Sequence, residues 1–322
     1  MDPKPPILAT LNDCVAYSQN VAVRERLISM DRLLANLFVW YGTHRRRTRL
    51  HRTPASFGLE FTEVSFQSAS VKETMLSGWI VPAEQPKAVL LLCHGIDSAA
   101  HAMLAKAALF ARNGFTCLLF DFRGTGRSGG EYVTLGHHES EDVLGAVAFI
   151  ESQPELNSLP IMCLGESMGG SAVIRAAAVC ESIRAVVSES TYATLADALY
   201  QRLRPLGPFA KRVADRCHTI GIEKYDLCIA DVSPVQVIER IAPRPVLLIH
   251  DNLDVLLPRV ETDRLYAAAG EPKERWDVPY APHTFAFMVA PRDYERRVVD
   301  FLDRAVKSEM SQRTSIDPRS AA

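Results

Sequence analysis

The chain is poor in the features that would define many protein classes. Its seven cysteines form no CxxC pair, and Cys93, Cys117 and Cys163 sit inside apolar runs, where a thiol behaves as a small hydrophobe. Neither a metal site nor a disulfide framework is expected, and the pattern fits a reducing compartment. An excess charge of one sign is also missing: 36 Lys and Arg against 38 Asp and Glu leave a net charge of -2. No global field draws the chain to nucleic acid, and none is expected as a partner. Long apolar runs are absent as well. The most lipid-like stretch, LLANLFVWYG at 33–42, is about half the roughly 20 residues that a membrane-spanning helix needs. The opening MDPKPPILATLNDC carries acids and three prolines and lacks the basic-then-apolar order of a secretory signal, so a cytoplasmic location is expected. No internal repeat or low-complexity tract stands out.

With 322 residues there is ample chain for a large core. At the start, Leu27, Met30, Leu33, Leu34, Leu37, Phe38 and Tyr41 recur at spacings of three and four and predict an amphipathic helix. HRRRTRLHR follows at 44–52, with five arginines and two histidines. Residues 27–52 therefore offer a peripheral contact with an anionic membrane. The plainer reading, a docking helix followed by a solvated linker, is preferred.

From Leu59 onward strand and helix signals alternate. LEFTEVSF and TMLSGWIVP read as strands near an edge, AVLLLC (88–93) and FTCLLF (115–120) as buried strands, and IMCLG, AVVSES, PVLLIH and ERWDVP continue the series. Helices are expected over 99–114, 137–153, 170–180, 258–269 and 291–308. The expected class is α/β, with a mostly parallel sheet of about eight strands covered on both faces. Residues 191–240 contain no convincing strand and predict a helical cap inserted above the sheet. The expected organisation is an N-terminal extension over 1–58, a core formed by 59–190 and 241–308, that cap, and a flexible tail at 309–322.

In LGESMGG (164–170) a serine stands between glycines, after a strand signal and before a helix signal. Glycines there permit a strained turn that lifts the Ser167 hydroxyl above the carboxyl end of the sheet, toward which the following helix points its N–H groups. Such a hydroxyl needs a base. His283, in the loop after the last strand, is preferred over His94, which would brace its own turn, and over His250, which ends a strand. An acid must orient that imidazole. Asp254 is preferred, with Asp251 and Glu189 as rivals.

Taken in order, HGI (94–96), DFRGTGRSGG (121–130), GESMGG (165–170), HDNLD (250–254) and APH (281–283) resemble the α/β-hydrolase superfamily. The similarity is strongest to its serine-hydrolase branches related to monoacylglycerol lipases, serine aminopeptidases and membrane-associated hydrolases with an N-terminal helix, and it covers about residues 59–308. The resemblance implies Ser167 as nucleophile, His283 as base, Asp254 as orienting acid, and the N–H groups of Met168 and Ile96 as an oxyanion hole. It implies that Asp121 and Arg123 brace loops. Relatives usually carry Gly where Asp251 stands, a departure that bears on the choice of Asp254.

The expected activity is hydrolysis of a small-molecule carboxylic ester through an acyl-serine, with no metal or organic cofactor. Tyr192, Leu195, Leu199, Tyr200, Leu203, Leu206 and Phe209 are expected either to line an acyl pocket or to pack the cap itself. A peptidase, amidase or thioesterase remains an alternative, with Glu166 or Asp97 holding a substrate ammonium. A non-catalytic binding or membrane-surface module is the alternative of another class. Oligomeric state is left open.

Overall fold

Five strands carry near-continuous apolar runs, and three, two at one edge and one at the other, are more polar, which is the pattern of a sheet buried at its centre. In the computed structural model, which describes residues 30–45, 47, 52–70 and 74–316, these runs form one eight-stranded sheet. The strands are β1 (Thr62–Gln67), β2 (Met75–Val81), β3 (Ala88–Cys93), β4 (Phe115–Phe120), β5 (Ile161–Glu166), β6 (Ile183–Glu189), β7 (Val246–Asp251) and β8 (Lys273–Val278). Their order is β1-β2-β4-β3-β5-β6-β7-β8. β2 runs antiparallel to β1 and β4, and all other neighbours are parallel. The expected first strand loses residues 59–61 and gains Gln67.

The helices are α1 (residues 30–43), α2 (Leu104–Arg112), α3 (Glu139–Ser152), α4 (Met168–Ala177), α5 (Leu195–Leu203), α6 (Ala210–Tyr225), α7 (Pro234–Val237), α8 (Arg259–Ala268), α9 (Ala286–Val289) and α10 (Pro291–Ile316). Along β3 the side chains alternate between two cores. Leu90 and Leu92 join α2 and α10 on one face, whereas Val89, Leu91 and Cys93 join α3, α4 and α8 on the other. A third apolar cluster lies above the sheet, where Ala35 and Val39 of α1 pack with Leu195 and Ala198 of α5 and Val213 and Cys217 of α6. Residues 191–240 are thus helical, and α1 docks on them. Thr194 caps α5 by accepting from the Asp197 N–H at 3.0 Å.

Two expectations are corrected. Instead of ending at 308, α10 continues to Ile316, and Glu309 in the added turns reaches Arg184 at 3.4 Å. The tail expected at 309–322 is therefore helical over its first half, and 317–322 lie outside the described residues. Nor is the basic stretch simply solvated. Arg47 donates to the carbonyls of Gly126, Ser128 and Gly130, the last two at 2.6 Å, and Arg45 pairs with Asp97 at 3.2 Å. Residues 27–29, 46 and 48–51 lie outside the described part. Among the described residues no helix is long and apolar enough to cross a membrane.

Candidate active site

β5 ends at Glu166 and α4 begins at Met168, leaving Ser167 as the only link between them. Its backbone takes φ 52° and ψ -114°, a conformation a non-glycine residue adopts only when its surroundings enforce it. Three glycines make room for this. A Cβ on Gly165 would stand 2.4 Å from the Gly169 carbonyl oxygen, one on Gly169 2.4 Å from that of Cys93, and one on Gly170 1.9 Å from Thr191 Oγ1. The Ser167 N–H donates to the Glu189 carbonyl at 2.9 Å, tying the turn to the end of β6.

The other two candidates reach Ser167 from loops beyond the last two strands. His283 Nε2 lies 2.9 Å from Ser167 Oγ, and His283 Nδ1 lies 2.6 Å from Asp254 Oδ2. Asp254 is fully buried at its side chain, and its other oxygen accepts the N–H groups of Leu256 and Leu257, both at 2.9 Å. Burial favours the protonated acid. The His283 hydrogen bond and charge, with those two N–H groups, outweigh it and hold Asp254 below the usual carboxylate range.

The rival residues have other partners. His94 Nδ1 donates to the Gly95 carbonyl at 2.7 Å while Nε2 accepts the Phe122 N–H at 3.1 Å, so this ring braces its turn. His250 is buried beside Thr262, and burial lowers its pKa. Asp251 Oδ2 accepts from Ser190 Oγ at 2.9 Å, and the Thr284 backbone also approaches this buried carboxyl. Burial, then the Glu189 charge, push Asp251 up to about 7. Asp121 holds the N–H groups of Ala100 and Arg127, both at 2.8 Å, and Arg123 forms a buried pair with Asp142.

Beneath the serine lies a charged cluster that the sequence reading did not assemble. Lys106 of α2, 4 % exposed, binds Glu166, and its Nζ lies 2.9 Å from Glu189 Oε2. Glu189 also accepts from Tyr294 Oη and the Ala286 N–H, at 3.1 and 3.2 Å. Burial lowers the Lys106 pKa, but the two carboxylates more than reverse this, and the amine stays charged. The available signal was a lysine inside the apolar run MLAKAALF, whose counter-charges stand 60 and 83 positions away.

A cavity of about 370 Å³ opens from Ser167 beneath the cap. Ile96, Asp97, Met168, Tyr192, Leu195 and Leu199 line it, as do residues of α1 that the sequence reading had not placed there. Of the seven apolar cap residues, Tyr200, Leu203, Leu206 and Phe209 do not: Leu203 packs inside the cap, Leu206 borders that same packing, and Tyr200 and Phe209 face outward. A second cavity of about 370 Å³ reaches Ser167 on the His283 side. Glu166 borders it but is already bound by Lys106, while Asp97 is exposed at the junction and bound by Arg45. Among the described residues, no group of three or more His, Cys, Asp or Glu side chains is arranged to hold a metal ion.

An almost wholly parallel sheet carrying a strained serine between strand and helix, with a histidine delivered from beyond its last strand, defines the α/β-hydrolase class. Comparison with known proteins agrees. The esterase Pf2001 of Pyrococcus furiosus superposes with a TM-score of 0.66 at 25 % identity, covering 81 % of this chain and 99 % of that one. The α/β hydrolase GrgF from Penicillium has the same fold, with a TM-score of 0.61 at 21 % identity over 77 % of this chain and 100 % of that one. YfhR, an uncharacterized protein of Escherichia coli (strain K12), is 28 % identical over 73 % of this chain and 79 % of its own length. The chain belongs to the α/β-hydrolase superfamily and is a serine-hydrolase-like member of it. Within that superfamily, residues 84–226 match the family described as serine aminopeptidase, S33.

Proposed function

We propose that this hydrolase cleaves carboxylic esters of small or medium acyl chains through an acyl-serine intermediate, with Ser167 as nucleophile, His283 as general base and acid, and Asp254 as the group that orients the imidazole. The observation that carries the reading is the contiguous pair of contacts, 2.9 Å from Ser167 Oγ to His283 Nε2 and 2.6 Å from His283 Nδ1 to Asp254 Oδ2. The buried Asp254 carboxylate accepts the Nδ1–H, which fixes the tautomer with Nε2 free to accept the serine proton, and its charge stabilises the imidazolium that results.

In this mechanism Ser167 Oγ attacks the ester carbonyl as Nε2 takes its proton, and the N–H groups of Met168 and Ile96 receive the developing oxyanion. Met168 opens α4, so the helix dipole reinforces that site; each such donor typically contributes about a hundredfold or more in rate. His283 passes the proton to the leaving alkoxide, then activates the water that releases the acid.

Ester cleavage is favoured over aminopeptidase chemistry because both acids near the serine are engaged. Lys106 binds Glu166 and Arg45 binds Asp97, leaving neither free for a substrate ammonium. The likeness to an esterase supports the same choice. A fluorophosphonate probe is expected to label the wild type and not Ser167→Ala. Hydrolysis of aryl esters should fall by roughly 10⁴–10⁶-fold in that variant. Matched anilides should be poor substrates of the wild type. Ester turnover surviving the substitution would overturn the assignment.

A further inference from the structure

Ser167 stands where two cavities meet, each of about 370 Å³. Ile96, Asp97, Ser167, Arg202 and Leu256 line both, and so form the junction. The two lobes differ in what else they contain. The first runs between α1 and the cap, walled by Phe38, Val39 and Gly42 of α1, Leu135, and Leu195 and Leu199 of α5. The second holds His283, with Ala102, Ala105, Phe285, Phe287 and Met288. His283 does not line the first.

That asymmetry orients an ester. Within the reaction proposed above, on which this step rests, the bond from Ser167 Oγ to the carbonyl carbon forms and the bond from that carbon to the alcohol oxygen breaks. The proton leaves Oγ for His283 Nε2 and ends on the departing alkoxide. The alcohol oxygen must therefore lie within hydrogen-bond reach of Nε2, on the side where the ring is. The acyl chain, attached to the same carbon, is directed to the other side.

We propose that the lobe between α1 and the cap binds the acyl chain, that the lobe beside His283 binds the leaving alcohol, and that α1 sets the acyl length the site accepts. The acyl lobe is apolar over most of its wall, as a hydrocarbon chain requires, and its volume falls in the ordinary range for a small-molecule site. α1 lies outside residues 84–226. The wall that measures the chain thus comes from the N-terminal region, outside the segment matched to the family.

Gly42 gives a direct test. A Cβ built there meets nothing closer than Leu135 Cδ1 at 3.7 Å, so a side chain can enter the lobe. Leucine is also a better helix former than glycine, which protects the fold of Gly42→Leu. Two substrate series would be measured: one leaving group with acyl chains from acetyl to dodecanoyl, and one acyl group with alcohols of increasing size. In Gly42→Leu the ratio of kcat/KM for the longest to the shortest acyl chain is expected to fall at least tenfold, with the alcohol series keeping its order. Phe38→Ala should shift the acyl optimum to longer chains. Phe287→Ala should reorder the alcohol series while leaving the acyl ratio in place.

An unchanged acyl profile in both α1 variants overturns the proposal, as does an acyl response confined to Phe287→Ala, which would mean the lobes are reversed. Failure of the wild type to cleave any ester would also overturn it. Probe labelling separates the causes. Without labelling at Ser167, or with labelling but no ester turnover, the reaction itself is misassigned; with labelling and ester turnover but unchanged profiles, the two lobes are.

Discussion

Asp251 and Asp254 stand three positions apart in HDNLD and differ in what the backbone offers them. Asp254 receives two N–H groups and the His283 ring, whereas for Asp251 the Ser190 hydroxyl and the Thr284 backbone do not offset its burial beside Glu189. The first is therefore held as the anion, and the second is pushed toward its neutral form, up to about 7. The consequence is a stability term with a definite sign. Between the ordinary aspartate pKa of about 4 and the folded value of about 7, the folded state retains a proton that the unfolded chain has lost, so this residue's contribution declines as pH rises through that window. Asp251→Asn keeps the shape and removes the titration. It is expected to be more stable to urea than the wild type at pH 8, by about 1–4 kcal/mol, and to match it only below about pH 4. A constant difference across pH would show that Asp251 does not titrate in the fold. The Asp251 carboxyl fills a buried place beside Ser190, and the acid that reaches His283 is Asp254.

Elements meet under the serine as much as residues do. Lys106 of α2 joins the ends of β5 and β6 through Glu166 and Glu189, and Tyr294 of α10 closes the group. The two strands so joined carry Ser167 on one side and its N–H acceptor, the Glu189 carbonyl, on the other. Removing the amine would strand two buried carboxylates. Lys106→Met is expected to destabilise the fold by roughly 3–5 kcal/mol in urea titration, the range for a buried pair losing one partner. Restoring the charge alone, as Lys106→Arg, should recover part of the loss. Most elements were legible locally: apolar runs bounded by glycine, proline and acids marked the strands and helix ends within a few residues. The extension of α10 to Ile316 was not, because its sequence is polar and a tie to the core, Glu309 with Arg184 of β6, joins residues far apart in the chain.

On the scale of the molecule, a cap of helices and α1 share an apolar cluster separate from the two cores that flank the sheet. Ala35 is fully buried at their contact, against Cys217 of α6. Its replacement by glutamate would bury an unpaired charge, a penalty large enough to lift α1 rather than be absorbed. In Ala35→Glu, trypsin is expected to cut within the arginines at 45–52 much faster than in the wild type, while β-sheet circular dichroism persists. Equal protection would mean that the docking of α1 tolerates a charge at its centre. That docking also explains why the amphipathic pattern at 27–41 had two readings. α1 buries Leu34, Ala35, Phe38 and Val39 yet still exposes Leu33, Leu37 and Trp40, so a hydrophobic stripe alone could not say which face met the protein.

The alternating strand and helix signals, and the glycines around Ser167, suffice without coordinates for the α/β class and for a strained serine at a strand end, because each depends on neighbours within a few positions. The preference for His283 and Asp254 also came from the chain, through their order and loop positions. What only the tertiary structure decided are matters of distant contact. These are the salt cluster under the turn, the partners that occupy Glu166 and Asp97, and the entry of α1 into the wall of the cavity. Such contacts join segments tens to more than a hundred residues apart, and the geometry that brings them together is a property of the packed sheet and cap.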